Sequence, residues 1–450
     1  MESYHFREVA KQVDTAEVGG QRWIKFNYNL FPIVLDSNSV PWDVAVVYVL
    51  SRCQGHVRPD MTTFQGIADD LSLFRRFLDD RKIDFAEFPK FKLHRPTYRF
   101  HGHLLNRIHD GEMAANTAKR AMGSVMGFYR WLAVTEQILT PEYPMWDSKD
   151  QYLNFKDARG FEMSKKIAVS DIGIKVPRQY DPFDGYINDG EKLRPLTVTE
   201  QKWLFEALAD LQNPEMTLIH ALMVTTGARI QTALPLRVRH VQLELPDGLA
   251  EFRFPVGPGT GVDTKNDKQI TLHIPSWIYE LLRTYSQSVR AASRRAKAKG
   301  GDSEDQYLFL TQQGAPYYQQ KSETLTFDPE FSKRHRDRGQ TFRAFIHDRV
   351  VPWIRERYDK NFSYRPHDLR ATYGMNLTDI QLALVEQKKK TLAQVREFVK
   401  TRMGHESAAT TDLYLNFRHS QEMIYAAIDG HETYFRDLID RAWEGSKRAS

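Results

Sequence analysis

Between Pro141 and Pro195 the helical periodicity that runs through the flanking sequence fades, and Asp, Gly, Lys and Pro accumulate, as at Pro177, Pro182, Gly185, Gly190 and Pro195. Such a stretch reads as an extended linker, 141–195, and divides the chain into two folding units. A length of 450 residues agrees with the division, since it exceeds the usual size of one hydrophobic core. On the N-terminal side, Phe64, Ile67, Ala68, Leu71, Phe74 and Leu78 recur at helical spacing, with Asp69, Asp70, Arg75 and Arg76 outside the stripe. A second helix carries Ala118, Ala121, Met122, Val125, Tyr129 and Leu132, with Asn116 or Thr117 as its cap. These place a helical domain over 61–140. Residues 1–60 have no assigned role; within them, 22–50 mixes β-branched and aromatic residues around a turn-rich cluster and predicts short strands or a small irregular subdomain.

The second unit opens on Thr197-Val198-Thr199-Glu200, a capping box ahead of a helix with Trp203, Leu204, Leu208 and Leu211. An apolar helix over Met216 to Thr226 is expected to stop at Gly227, which can adopt the left-handed conformation. Glu251 to Val256 and Gln269 to Ile274 alternate apolar residues and predict a hairpin. The remainder reads as mostly helical. The fold class expected is therefore mainly α with a small β-hairpin or sheet (α+β), the second domain spanning 196–430 and a C-terminal helix or tail 431–450.

Charge alone says little: 63 Lys and Arg against 58 Asp and Glu leave a formal charge of +5, a weak argument for nucleic acid. Local clusters say more. Arg290, Arg294, Arg295, Lys297 and Lys299 stand together without an acid, and Lys333, Arg334, His335, Arg336 and Arg338 surround Asp337. With Lys119, Arg120 and Arg130 on the polar face of the second helix, the DNA-backbone candidates are Lys119, Arg120, Arg130, Arg294, Arg295 and Lys297. Read alone, each is an ordinary solvated charge. One cysteine, Cys53, excludes an internal disulfide and any multi-cysteine zinc site. No run of about eighteen apolar residues appears and the start lacks a signal-peptide core, so a cytoplasmic protein, nucleoid-associated when on DNA and without membrane contact, is expected.

Four short pieces of the second domain occur in a telling order: Thr226-Gly227-Ala228-Arg229-Ile230 with Leu234, Leu236 and Val241; Thr264-Lys265-Asn266-Asp267-Lys268 in the hairpin turn; His367-Asp368-Leu369-Arg370; and Gly404-His405 followed nine residues later by Tyr414. In type and order they resemble the signature of the tyrosine recombinases, the phage-integrase family, over roughly residues 196–430; the helices of 61–140 look like that family's core-binding domain. The resemblance implies a catalytic set of Arg229, Lys265, His367, Arg370, His405 and the nucleophile Tyr414, with Lys268 competing with Lys265. It further implies duplex DNA as partner, a homo-tetramer on DNA, accessory recombination proteins in some systems, and no cofactor or metal.

The residue types suit that chemistry on their own terms. Metal-free cleavage of a phosphodiester needs a nucleophile, positive charge for the non-bridging oxygens and an acid for the leaving oxygen. Arg229 and Arg370 offer planar, permanently charged forks. His367 precedes Arg370 by three residues, so on a helix both address one phosphate. A tyrosine hydroxyl, ordinarily near pKa 10, needs a base, for which His367 is the candidate; His405 would hold a phosphate oxygen, and Lys265 has the family's acid role. No Gly-x-x-x-x-Gly-Lys-Ser/Thr loop appears, so no nucleotide is expected.

The expected function is site-specific DNA strand exchange by sequential cleavage and religation through a 3′-phosphotyrosyl bond, for integration, excision or transposition of a mobile element. The alternatives are a type IB topoisomerase or telomere resolvase, and a catalytically silent DNA-binding subunit. Departures from the family pattern are Thr232 where an acid commonly supports the arginines, Met403 for leucine before Gly-His, and longer intervals on both sides of His367 and Arg370, one carrying Lys388, Lys389 and Lys390. After Tyr414, Met423, Ile424, Ala427, Ile428, Tyr434, Leu438 and Ile439 keep helical spacing, for docking either on their own domain or on a neighbouring protomer.

Overall fold

Asp60 caps the first long helix by accepting from the Thr62 amide, and the apolar stripe that follows turns inward along its length. In the computed structural model, which describes residues 4–6, 9–10, 27–56, 59–156, 162–176, 185–324, 337–418, 435–436 and 438–439, this helix lies in the first of two units. That unit comprises Met1–Gln179 with Thr324–His335; the second comprises Tyr180–Glu323 with Arg336–Ser450.

The first unit starts with short antiparallel pairs, β1 (Tyr4–Phe6) with β4 (Pro32–Val34) and β2 (Val9–Ala10) with β3 (Asn27–Tyr28), in keeping with the turn-rich pattern there. Four helices follow: α1 (Asp43–Gln54), α2 (Met61–Asp80), α3 (Pro96–His109) and α4 (Ala115–Arg130). The sequence reading missed α1, whose β-branched residues mask the helical recurrence of Ala45, Tyr48, Val49 and Cys53. Phe74, Phe100, Phe128 and Tyr129 are fully buried, each contributing roughly 1.5–3 kcal/mol through apolar area removed from water. Asp70, expected outside the stripe, is instead buried, because Arg120 and Ser124 reach it from α4 at 3.0 and 2.7 Å. The expected cap on Asn116 or Thr117 is also corrected: α4 begins after Ala114 without a side-chain cap, and the Thr117 amide donates to the Ala114 carbonyl at 2.9 Å.

The extended linker is corrected too. Within it β5 (Ser148–Lys156) and β6 (Glu162–Ser170) pair in register from Ser148↔Ser170 to Lys156↔Glu162, and Ile172 and Ile174 join the first unit's core. Cross-strand backbone pairing stabilises such a ribbon without the apolar periodicity on which the sequence reading relied. The division between units falls at Gln179 and Tyr180.

In the second unit β7 (Ile187–Asn188) and β8 (Lys192–Leu193) form a small hairpin ahead of α5 (Val198–Asp210), whose Thr197–Glu200 capping box is present in both directions. Then come α6 (Pro214–Thr226), α7 (Ile230–Ala233), the hairpin β9 (Glu251–Val256) and β10 (Ile270–Pro275), α8 (Ser276–Ser286), α9 (Val289–Lys297), α10 (Gln340–Phe345), α11 (Val351–Arg357), α12 (Asp368–Glu386), α13 (Leu392–Met403) and a helical segment 408–418. Both units are thus mainly helical with two-stranded antiparallel sheets, the α+β class expected. Among the described residues no helix is long and apolar enough to cross a membrane. Of the C-terminal pattern, Met423, Ile424, Ala427, Ile428 and Tyr434 lie outside the described residues, as do Lys333 to Arg336; Leu438 and Ile439 are helical and exposed.

The apolar α6 packs against α12 and β10 at the centre of the core and buries His220 completely. Its Nδ1–H donates to the Met216 carbonyl at 2.7 Å and its Nε2 accepts from the Tyr364 hydroxyl at 2.8 Å, which fixes the neutral ring. Burial lowers its pKa from 6.5 to about 4. Below pH 6.5 the unfolded chain binds a proton that the folded chain refuses, so this term is intact above 6.5 and is lost as pH falls towards 4, by roughly 3 kcal/mol. Melting curves across that window should slope less steeply in His220→Gln than in wild type; parallel slopes would refute the assignment.

Candidate active site

Two helices end on left-handed glycines, Gly227 after α6 (φ 67°) and Gly404 after α13 (φ 62°), and one arginine gathers both ends. Arg370, in the first turn of α12, donates through Nη1 to the Gly227 carbonyl at 3.0 Å and through Nη2 to the Met403 carbonyl at 2.7 Å. It thereby brings the Arg229 segment and the His405 segment to one place, although 176 residues separate those two side chains in sequence (405 − 229). Arg229 precedes α7, and its buried Nε has no hydrogen-bond partner among the described residues.

The third guanidinium contact of Arg370 is Nε to Asp189 Oδ2 at 3.1 Å. The same oxygen accepts from the Tyr414 hydroxyl at 3.2 Å and lies 3.4 Å from His405 Nε2, a charge contact rather than an aligned hydrogen bond. Asp189 is therefore the acid that Thr232 does not supply. The Thr232 hydroxyl instead donates to the Asp263 carbonyl at 2.9 Å and ties α7 to the loop before Lys265. Burial would raise the Asp189 carboxyl, but His405, Arg370 and Arg229 together hold it far below the usual carboxylate range. Tyr414 is fully buried; burial first, and then the Asp189 charge, push its hydroxyl well above 10.

Sequence reasoning placed Asp189 in a linker and did not single it out. It occupies the loop 189–191 of the β7–β8 hairpin, with Gly190 at φ 76°, and the available signal was an Asp-Gly pair between two short apolar runs. Ile187 anchors this hairpin by packing with Met375, Val395, Val399, Met403 and Tyr414.

The two histidines hold opposite roles. Glu191 Oε1 accepts from His367 Nδ1 at 2.5 Å, so the neutral ring turns a bare Nε2 inward, where it has no partner among the described residues. Burial lowers the His367 pKa, and Arg229 and Arg370 add to this against Glu191. His405 places Nδ1 3.0 Å from the Thr411 hydroxyl; with the hydroxyl donating there, its Nε2–H faces Asp189. One ring is thus arranged to accept a proton and the other to donate a hydrogen bond. His367 precedes α12 as its N-cap rather than lying within the helix, yet its ring is near enough to Arg370 to feel that charge.

In the β9–β10 turn, Lys268 is ion-paired with Glu406 at 2.5 Å and Lys321 with Asp267 at 3.0 Å. Lys265 reaches the loop 189–191, where a Cβ on Gly190 would meet its Nζ at 2.9 Å. Of the two competing lysines, Lys265 lies against the loop 189–191, while Lys268 is held by Glu406 beside His405.

The backbone-contact candidates divide. Lys119, Arg120, Arg130 and Lys297 are exposed; Arg120 pairs with Asp70 and Arg130 lies over the Trp146 ring. Arg294 and Arg295 are buried and are corrected from that set. Arg294 pairs with the fully buried Glu215 at 3.1 Å, and Arg295 pairs with Asp302 and donates to the Ser286 carbonyl. Glu215 also accepts from Arg290 and from the Tyr285 hydroxyl, so the charged run of α9 meets a buried anion. Among the described residues no His, Cys, Asp or Glu group could hold a metal ion.

Gly374, one turn along α12 from Arg370, leaves room for the Tyr414 ring; a Cβ there would collide with Cε1 of that ring and meet Met403 Cε at 2.9 Å. Gly374→Ala raises helix propensity yet must displace the buried tyrosine. A tenfold or greater loss in any reaction of Tyr414 is expected, read as covalent adduct formed per minute; an unimpaired rate would show that the ring position does not matter.

No protein-family model matches the chain, and no curated protein matches it. Among solved structures it is similar to the XerH site-specific recombinase bound to palindromic difH substrate in a post-cleavage complex, at 14% identity and a TM-score of 0.44 over 84% of this chain and 83% of that one. It is similar to the Tn1549 transposon integrase in complex with a circular intermediate DNA, at 13% identity and 0.46 over 84% and 99%. It is also similar to a lambda integrase dimer bound to a COC′ core site, at 12% and 0.41 over 82% and 94%.

Proposed function

We propose that this chain is a site-specific DNA recombinase that cuts and rejoins strands through a 3′-phosphotyrosyl bond at Tyr414. The observation that carries the reading is the meeting of a tyrosine hydroxyl, a guanidinium and a donor histidine on one anionic oxygen. Three groups that bind a carboxylate oxygen in this way suit a phosphate oxygen equally well.

In the reaction, Tyr414 oxygen attacks phosphorus as the bond to the 5′ oxygen breaks. His367 Nε2 takes the tyrosine proton, Lys265 Nζ gives a proton to the departing oxygen, and Arg229, Arg370 and His405 hold the non-bridging oxygens. Religation runs the same steps in reverse with a 5′ hydroxyl from the other duplex, so bond energy is conserved and no nucleotide is consumed. Each exchanged strand needs its own nucleophile, so the working unit is a homo-tetramer on paired duplexes, with accessory proteins in some settings and a cytoplasmic, nucleoid-bound location. Residues 61–140, through Lys119, Arg120 and Arg130, and Lys297 of the second unit serve as phosphate contacts.

The test is a nicked suicide duplex from the element's flanking DNA, incubated in chelator, with the trapped adduct digested and its modified peptide sequenced by mass spectrometry. The expected product is a nucleotide on Tyr414; another residue, or strict magnesium dependence, would sink the mechanism.

A further inference from the structure

We propose that the loop 189–191 is a built-in anion plug: in the DNA-free chain the Asp189 carboxylate takes the place of a scissile-phosphate oxygen among Arg370, His405 and Tyr414, and it must leave before Tyr414 can attack. The inference rests on the proposed function and adds to it a regulation of the same site.

Three observations support it. A carboxylate that served only to brace an arginine would have no reason to touch the nucleophile, whereas Asp189 Oδ2 accepts from the Tyr414 hydroxyl itself at 3.2 Å. That hydrogen bond keeps the proton on the group that has to lose it. Second, two anions do not share this space, because a phosphate brought against a retained carboxylate is strongly repelled. The buried Arg370 guanidinium without any anion is also unfavourable, and so a carboxylate that departs as the phosphate arrives satisfies both states. Third, the loop is built to move. Its strands β7 and β8 are two residues each and Gly190 at φ 76° connects them, so the tip can swing while Ile187 and Leu193 stay in the core, at the cost of the Asp189 contacts and of the Glu191 hydrogen bond with His367.

The experiment titrates inorganic phosphate into the full chain by calorimetry, comparing wild type with Asp189→Asn. The asparagine chain is expected to bind phosphate at least tenfold more tightly; equal or weaker binding by a chain that melts like wild type overturns the plug. Asp189→Ser serves should the asparagine chain fail to fold. In wild type itself, hydrogen exchange at the amides of 189–191 should speed up severalfold at saturating phosphate, and unchanged exchange overturns the proposal independently of any variant. On the nicked suicide duplex, Asp189→Asn should form the Tyr414 adduct several times faster than wild type; a slower adduct makes Asp189 a positioning residue and ends the plug. Tighter phosphate binding with no adduct from either chain would leave the plug standing and remove the DNA-cutting function instead.

Discussion

Tyr414→Phe should yield no covalent adduct on a nicked suicide duplex under conditions where wild type accumulates it, a loss limited only by the detection of the gel. The substitution removes one atom from a fully buried ring that stacks at 5.5 Å on His405. Asp189 loses one of its donors but keeps Arg370 at 3.1 Å, so the change in stability should not exceed about 1–2 kcal/mol. The two readouts together are the point of the variant: unchanged melting and retained DNA binding with the adduct gone assign the nucleophile. An adduct that persists in the phenylalanine chain would place the reactive group elsewhere.

Arg370→Ala should produce the largest loss of stability of any single change at the site. It strips a 4% exposed guanidinium of three contacts at once, leaving the Gly227 and Met403 carbonyls without their donor and Asp189 as a buried carboxylate without its principal counter-ion. Removing one partner of such a pair costs about 3–5 kcal/mol, which lowers the melting temperature by roughly 10 °C for a unit of this size. Cleavage should fall by about 100–1000-fold or more, as when one preorganised donor to a reacting oxygen is lost. Because much of the penalty is the stranded charge, Arg370→Ala with Asp189→Asn should melt higher than Arg370→Ala alone. A single variant as stable as wild type would show that Asp189 has another counter-ion and that Arg370 does not hold the site together.

The parts of this protein legible in its sequence are those governed by local spacing. The Thr197–Glu200 box, the glycine stop at Gly227, the hairpin over 251–275 and the stripe of α2 each depend on residues a few positions apart, and all four are present. The six candidate residues of the site were legible only through the resemblance to the tyrosine recombinases, carried by short local patterns such as a histidine three positions before an arginine and a tyrosine nine positions after a histidine.

Tertiary structure alone decided which charges meet. Compensation of a buried cation is not tied to sequence position, because Coulomb attraction asks only for proximity in a poorly solvated place. The acid missing at Thr232 thus arrives as Asp189, and Glu191 fixes the His367 tautomer from the same loop. The same physics withdraws Arg294 and Arg295 from the surface, since Arg294 pairs with Glu215 buried at the start of α6, and Arg295 with Asp302 and the Ser286 carbonyl. Local pattern determined the helices and the turns; the choice between a cation left open to solvent and one already neutralised inside the protein belonged to the packed fold.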